Sequence, residues 1–259
     1  MKLATWNING VKARLENAVA YLQQEKPDVV CFQEIKSVDE GFPREAFEEL
    51  GYNVATHGQK GFNGVAILSK SPLEDVTRGL PGDDSDVQAR WIEALVQDGK
   101  NIVRVVSLYL PNGNPIGTEK FSYKLAWMER LTAHVKVLLQ DETPLVLAGD
   151  YNVIPEVQDA KRPENWVNDA LFQMESRRAY RALKYLGLTD ATSTCQPEPG
   201  VFTFWDYQAG AFQKNDGIRI DHMLLSSQAA DRLQSSGIDK FARATDKPSD
   251  HVPVWIILQ

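Results

Sequence analysis

The chain has 259 residues, 43% apolar and 24% charged, with 28 Lys and Arg against 35 Asp and Glu for a net charge of −7. Those values suit a soluble globular protein that buries a sizeable core in one domain over residues 1–259, without disulfides or a structural metal. They exclude a membrane-spanning chain, since no apolar run nears the roughly 20 residues a span requires, and they argue against a protein that coats nucleic acid, while leaving room for a local basic face or a carboxylate-bound cation.

Residues 2–8 form the first strand-like run, so no leader peptide is expected before it. Leu15, Ala18, Val19 and Leu22 then share one face of a helix. The run 29–34 is apolar until Gln33 and Glu34; within it Cys31 reads as a small buried hydrophobe. Cys31 and Cys195 make no disulfide framework, so a reducing cytoplasm is expected. Further strands are expected over 64–69, 91–96 and 102–110, the last carrying Tyr109 before the turn Pro111-Asn112-Gly113-Asn114. Phe121, Leu125, Met128, Thr132, Val135 and Leu139 mark a helix of about five turns, with His134 as a structural residue within it. A strand over 144–149 delivers Asp150 and Asn152. Leu171, Met174, Leu183 and Leu186 mark a third helix that Gly187 stops, and its Arg177, Arg178, Arg181 and Lys184 read as a solvated face, with a phosphate-contacting surface as the alternative. Strands over 218–225 and 252–258 close the chain. Residues 155–168 and 197–215 are the longest loops, and long ordered loops tend to be functional.

Polar residues of hydrolytic type follow several of these apolar runs. Glu34 at a strand end is costly to bury unless paired or bound to a cation such as Mg²⁺. Asp150 and Asn152, two apart in an extended chain, project from one face, so that one can accept a proton from water while the other donates a hydrogen bond. Asp221 is placed to fix the tautomer of a histidine such as His251 and to favour its protonated form, whereas His222 alternates to the other face of the strand. One site assembled from the whole chain, suited to metal-dependent phosphodiester hydrolysis, is the expectation.

Thr5-Trp6-Asn7-Ile8-Asn9-Gly10, Gln33-Glu34, Tyr109-Leu110-Pro111-Asn112, Gly149-Asp150-Tyr151-Asn152, Phe202-Thr203-Phe204-Trp205-Asp206-Tyr207, Arg219-Ile220-Asp221 and Ser249-Asp250-His251 together resemble, in order, the exonuclease III-type abasic-site endonucleases. These belong to the endonuclease/exonuclease/phosphatase superfamily with DNase I. The resemblance implies an α/β fold, a four-layer α/β sandwich with two packed β-sheets and helices on both outer faces. It implies Mg²⁺, with Mn²⁺ as a substitute, held by Glu34 with Asn7 beside it and Asp250 as a second carboxylate. It carries the water-activating role to Asp150, its hydrogen-bonding partner to Asn152, the phosphate-polarising dyad to His251 with Asp221, and the site tyrosine to Tyr109. Asn112 would touch substrate, and Phe204, Trp205, Ile218 and Ile220 would line a pocket for a base-less sugar. The implied activity is cleavage 5′ to abasic sites, with 3′–5′ exonuclease and 3′-end cleaning, by a monomer acting on double-stranded DNA with abasic sites or blocked 3′ ends. Asn9 stands where some members carry aspartate, and Pro115 lies in the loop where some members insert an arginine. The alternatives are a superfamily phosphodiesterase or phosphatase on a non-DNA substrate, and a DNA-binding scaffold without catalysis; fold alone does not choose among them.

Overall fold

The eight apolar runs expected from the sequence are the inner strands of two six-stranded sheets in the computed structural model, which describes residues 1–259. In chain order the elements are β1 (Lys2–Asn7), α1 (Leu15–Glu25), β2 (Val29–Gln33), α2 (Arg44–Glu48), β3 (Asn53–His57), β4 (Val65–Ser69), β5 (Leu73–Arg78), β6 (Trp91–Asp98), β7 (Asn101–Tyr109), α3 (Glu119–Leu138), β8 (Leu145–Asp150), α4 (Met174–Lys184), β9 (Thr189–Asp190), α5 (Ala191–Cys195), β10 (Asp221–Leu225), α6 (Ser227–Ala230), β11 (Leu233–Ile238) and β12 (Val254–Leu258). One sheet runs β11-β12-β1-β2-β4-β3 and the other β5-β6-β7-β8-β10-β9. The four strands that the apolar pattern did not reveal, β3, β5, β9 and β11, are the four edges. Edge strands need less apolar surface, and these are short or carry polar residues, as in Leu73–Arg78, which is half-exposed and bulged.

Leu3, Val29, Ile67, Val105, Val146 and Ile256 fill the space between the sheets. Ala18, Tyr21 and Leu22 of α1 cover the outer face of the first sheet, and Trp127, Leu131 and Tyr180 from α3 and α4 cover the second. The order helix, sheet, sheet, helix is the four-layer sandwich. No helix is long and apolar enough to cross a membrane.

Register brings the polar residues to one end. β1 runs parallel to β2 and β7 parallel to β8, so Asn7, Gln33, Tyr109 and Asp150 all terminate their strands on the same side. β10 is antiparallel to β8 with Asp221 opposite Asp150, and β12 is antiparallel to β1, so Asp221 begins its strand there and His251 precedes β12 there. Gly149 permits this close approach, because a Cβ at that position would lie 1.9 Å from the Leu108 carbonyl oxygen.

Two helices differ from expectation. The buried stripe of α3 is Lys124, Trp127, Met128, Leu131, Val135 and Leu138, rotated from the expected one, with only Met128 and Val135 in common. Trp127 and Leu131 win the core position because they present more apolar area than Leu125 and Thr132. α4 ends at Lys184 and buries Ser176, Tyr180 and Leu183, while Met174 points out. Its Arg177 and Arg181 both pair with Glu156, at 3.5 and 3.4 Å. That face therefore fastens α4 to the loop after β8.

A buried ion network anchors the same loop. Arg219 grips Asp159 through Nε at 2.7 Å and Nη2 at 3.2 Å, and reaches Asp190 through Nη1 at 2.8 Å. Nη1 also faces His222 Nδ1 at 3.0 Å, and His222 Nε2 lies 3.1 Å from the Val153 carbonyl. Burial, then the adjacent guanidinium, pulls His222 down to about 4. The unfolded imidazole takes up a proton near 6.5. A folded value below the unfolded one means that this contribution is full above pH 6.5 and is lost as pH falls towards 4, by about 3 kcal/mol at most. Chemical denaturation at pH 7 and 4.5 is expected to show a smaller loss of stability in His222→Asn than in wild type. Equal losses would show that this imidazole does not drive acid unfolding.

Candidate active site

Thirteen residues were expected at the site, and the structure gathers the polar ones around Asn7. Its Nδ2 donates to Glu34 Oε1 and to Asp150 Oδ2, both at 2.9 Å, so a strand end from each sheet converges on one amide. Tyr109 donates its hydroxyl to Glu34 Oε1 at 2.9 Å. Lys36 Nζ lies 3.0 Å from Glu34 Oε2. Glu34 itself has φ 49, just past β2, which turns its carboxylate out of the strand and over the sheet end. Burial acts to raise Glu34, but Asn7, Lys36 and His251 outweigh it and hold the carboxylate below its ordinary range. Burial, reinforced by Glu34 and Asp150, pushes the Tyr109 phenol well above its usual range, so it stays a donor.

Asp150 and His251 face each other, Oδ2 to Nε2, at 3.8 Å. His251 Nδ1 is 2.8 Å from Asp221 Oδ2. The same oxygen accepts from the fully buried Thr203 hydroxyl at 2.6 Å. The other oxygen, Asp221 Oδ1, is buried with no partner. Burial disfavours an imidazolium at 251, yet Asp221 and Asp150 overcome it and raise His251 well above the ordinary histidine range. Burial also raises Asp150, against the pull of His251. The product is a protonated imidazole beside a carboxylate with appetite for a proton.

Asp150, Asp221 and His251 offer ligand atoms within 4.8 Å of one another. His251 Nδ1 is already committed to Asp221. Oxygen donors for a hard cation lie on the Glu34 and Asp150 side of Asn7 instead. Asp250 stands one residue removed: its Oδ1 accepts from Asn9 Nδ2 at 3.0 Å, and Asn9 Oδ1 accepts from Lys36 Nζ at 2.6 Å.

Asn152 reaches Asp150 by a route other than strand alternation. β8 ends at Asp150 and Asn152 has φ 46, so the segment is a turn, not an extended chain. The Asn152 backbone N–H donates to Asp150 Oδ1 at 2.9 Å, its Nδ2 donates to the Leu110 carbonyl at 2.9 Å, and its Oδ1 accepts from Asn112 Nδ2 at 3.2 Å.

A cavity of about 420 Å³ has Phe204, Ile218 and Trp166 among its apolar walls and Asp169, Asp206 and Asp216 among its polar ones. Phe204 meets the His251 ring edge-to-face at 5.0 Å. Phe204 and Ile218 are bridged antiparallel and present together. The other two expected wall residues are elsewhere. Trp205 alternates to the opposite side, is 1% exposed and packs with Phe202, Ala211 and Val252. Ile220 is buried behind the wall against Ile154 and Leu171. A larger groove of about 640 Å³ lies at the far edge between β3 and β5, with Arg44, Tyr52 and Arg78 around it, and brings no acid–base cluster.

Sequence reasoning passed over Thr203, Trp166, Arg90 and Lys124. Arg90 stacks 4.9 Å from the Tyr109 ring and donates to the Tyr109 carbonyl at 3.2 Å. For Lys124 a signal existed: a lysine occupies a position of the helical stripe shared with Trp127, Leu131 and Val135.

The model of the Endonuclease/Exonuclease/phosphatase family matches residues 4–251. The chain is 36% identical over 263 residues to the exodeoxyribonuclease III of Haemophilus influenzae, covering 98% of each chain. Among solved structures it is similar to a 3′–5′ exonuclease, NExo, from Neisseria meningitidis, with a TM-score of 0.96 and 37% identity over 100% of both chains. An AP endonuclease from Archaeoglobus fulgidus superposes with a TM-score of 0.95 and 35% identity over 100% of this chain and 99% of that one.

Proposed function

This chain belongs to the endonuclease/exonuclease/phosphatase family, and we propose that it is a DNA-repair hydrolase of the exodeoxyribonuclease III and AP endonuclease type. The substrate is double-stranded DNA, cut 5′ to an abasic site, with removal of 3′ nucleotides or blocking groups as a second activity. The observation that carries this reading is the Asp150 carboxylate, bonded to the same Asn7 amide as Glu34 and facing the His251–Asp221 pair at 3.8 Å.

In this reading Asp150 orients a water and takes its proton as the oxygen attacks phosphorus. The bond from phosphorus to the 3′ oxygen breaks, and that oxygen takes a proton from solvent. The imidazolium of His251, held by Asp221, sits where charge accumulates on the phosphoryl oxygens. Asn152 fixes the Asp150 carboxylate through its backbone N–H. Mg²⁺, with Mn²⁺ as its substitute, would be held by Glu34 with Asn7 and Asp250 nearby, and when bound would neutralise charge on the phosphate. Asn9, an amide that donates to Asp250, supports one cation at this corner rather than two.

The test uses two duplex oligonucleotides, one with a tetrahydrofuran abasic analogue and one intact with a recessed 3′ end, each with Mg²⁺ and with EDTA. Incision 5′ to the analogue and shortening of the recessed end are expected with Mg²⁺ only. No cleavage of either duplex, alongside hydrolysis of a small phosphodiester, would instead assign the site to a non-DNA substrate.

The cavity walled by Phe204, whose ring packs on His251, supports recognition of a base-less sugar. Phe204→Ala is expected to lower kcat/KM on the abasic duplex more than on the intact one, because the sugar is then no longer held for in-line attack. Trp205→Phe, behind the wall, is expected to leave the ratio of the two within about twofold. Equal slowing of both substrates by Phe204→Ala would make that ring core packing.

A further inference from the structure

Lys124 is the only lysine among the buried residues, with none of its side chain exposed. Burial of an unpaired ammonium is costly unless its donors are met. Two donors are met by main-chain carbonyls rather than by a carboxylate, Nζ to Asn152 O at 2.5 Å and to Asn112 O at 3.1 Å, and burial lowers the amine to about 7. The structure makes room for the lysine stem at Gly113, where φ is +89 and a Cβ would lie 2.6 Å from Lys124 Cδ.

The two carbonyls belong to the residues that fix Asp150. Asn112 Nδ2 bonds to Asn152 Oδ1 at 3.2 Å, and the Asn152 N–H bonds to Asp150 Oδ1 at 2.9 Å. Asn152 is in a left-handed conformation, φ 46, which a non-glycine residue adopts at some cost and keeps only when its surroundings hold it. From this geometry, and resting on the nuclease reading above, we infer that Lys124 is a positioning residue for the hydrolytic step. Its amino group clamps the 112 and 152 turns together from beneath and so aims the Asp150 carboxylate at the water. Its Nζ is bonded to the Asn112 and Asn152 carbonyls alone. Its influence passes only through the Asn152 turn.

Lys124→Met keeps the stem and removes the donors. Its single-turnover rate on the abasic duplex is expected to fall by about 10- to 100-fold, the scale of a sub-ångström misplacement of a reacting group. Binding of the duplex with Ca²⁺ in place of Mg²⁺ is expected to stay within about threefold, since no phosphate contact is lost. Coupling separates positioning from general loosening: added to Asp150→Asn, Lys124→Met is expected to slow the residual cleavage by less than about threefold. The same loss in both backgrounds would overturn the inference, as would a Lys124→Met rate within threefold of wild type. Should Lys124→Met lose its near-ultraviolet circular dichroism, Lys124→Gln decides, because it retains a donor amide: a rate between wild type and 100-fold reduced, with the same non-additivity, supports positioning, and a folded Lys124→Gln at the wild-type rate overturns it. Absence of cleavage by the wild-type protein would reject the nuclease reading itself, a result distinct from any of these.

Discussion

Asp150→Asn is expected to lower the single-turnover rate on an abasic duplex by about 10²–10⁴-fold, the usual worth of a general base, while leaving the fold in place. The amide keeps the oxygen that accepts from the Asn152 N–H at 2.9 Å, so the turn after β8 survives. What it loses is the proton acceptor, in a position where burial has already raised the proton affinity of the carboxylate. Some stability should be lost, because the amide nitrogen that replaces Oδ2 can no longer accept from Asn7 Nδ2. The substitution removes a buried charge that opposes Asp221, and it also takes one of two anionic partners from His251. Rates and thermal midpoints measured on the same preparations check both halves. A folded Asp150→Asn within about threefold of wild type would remove this residue from the chemistry.

How far the sequence disclosed this arrangement depends on what kind of force placed each residue. Inner strands were legible because they are covered on both faces and so read as continuous apolar runs, as in Val29–Gln33 and Leu145–Asp150. Edge strands were not, since a strand such as Leu233–Ile238 is fixed by backbone pairing to β12 and by Gly237 lying under the Trp255 ring, neither of which has a periodic signature. The site polar groups were legible because parallel strand pairs deliver their C-terminal residues to one end, so that Asn7, Tyr109 and Asp150 converge. Pocket residues were half legible. Phe204 and Ile218 are placed by a cross-strand bridge, whereas Trp205 and Ile220 carry equally apolar side chains that turn into the core. Lys124 was missed because a charged residue on a buried stripe breaks the apolar rule, and a broken rule of this kind marks where the fold accepts a local cost to hold something else.

The His251–Asp221 pair makes a directional claim about pH. Removing the imidazolium with His251→Gln is expected to cost about 10²–10³-fold in kcat, as for deletion of one donor that stabilises charge in the transition state. The requirement for a protonated imidazole is met at low and neutral pH and fails as pH rises through its raised value, while the need for an ionised Asp150, itself raised by burial, sets the acid limb. Against the burial that disfavours the imidazolium, Asp221 and then Asp150 raise that value, with Asp221 bonded to Nδ1 at 2.8 Å. Asp221→Asn removes the larger of the two favourable charges. The alkaline limb of kcat/KM is therefore expected to move to lower pH in Asp221→Asn. Stability follows the same sign: a histidine raised by its partner stabilises the fold below the unfolded value near 6.5, and that contribution fades as pH climbs through the folded one. An alkaline limb that stays in place in Asp221→Asn would mean that His251 acts as a neutral hydrogen-bond donor, and the carboxylate at 221 would then serve only to orient the ring.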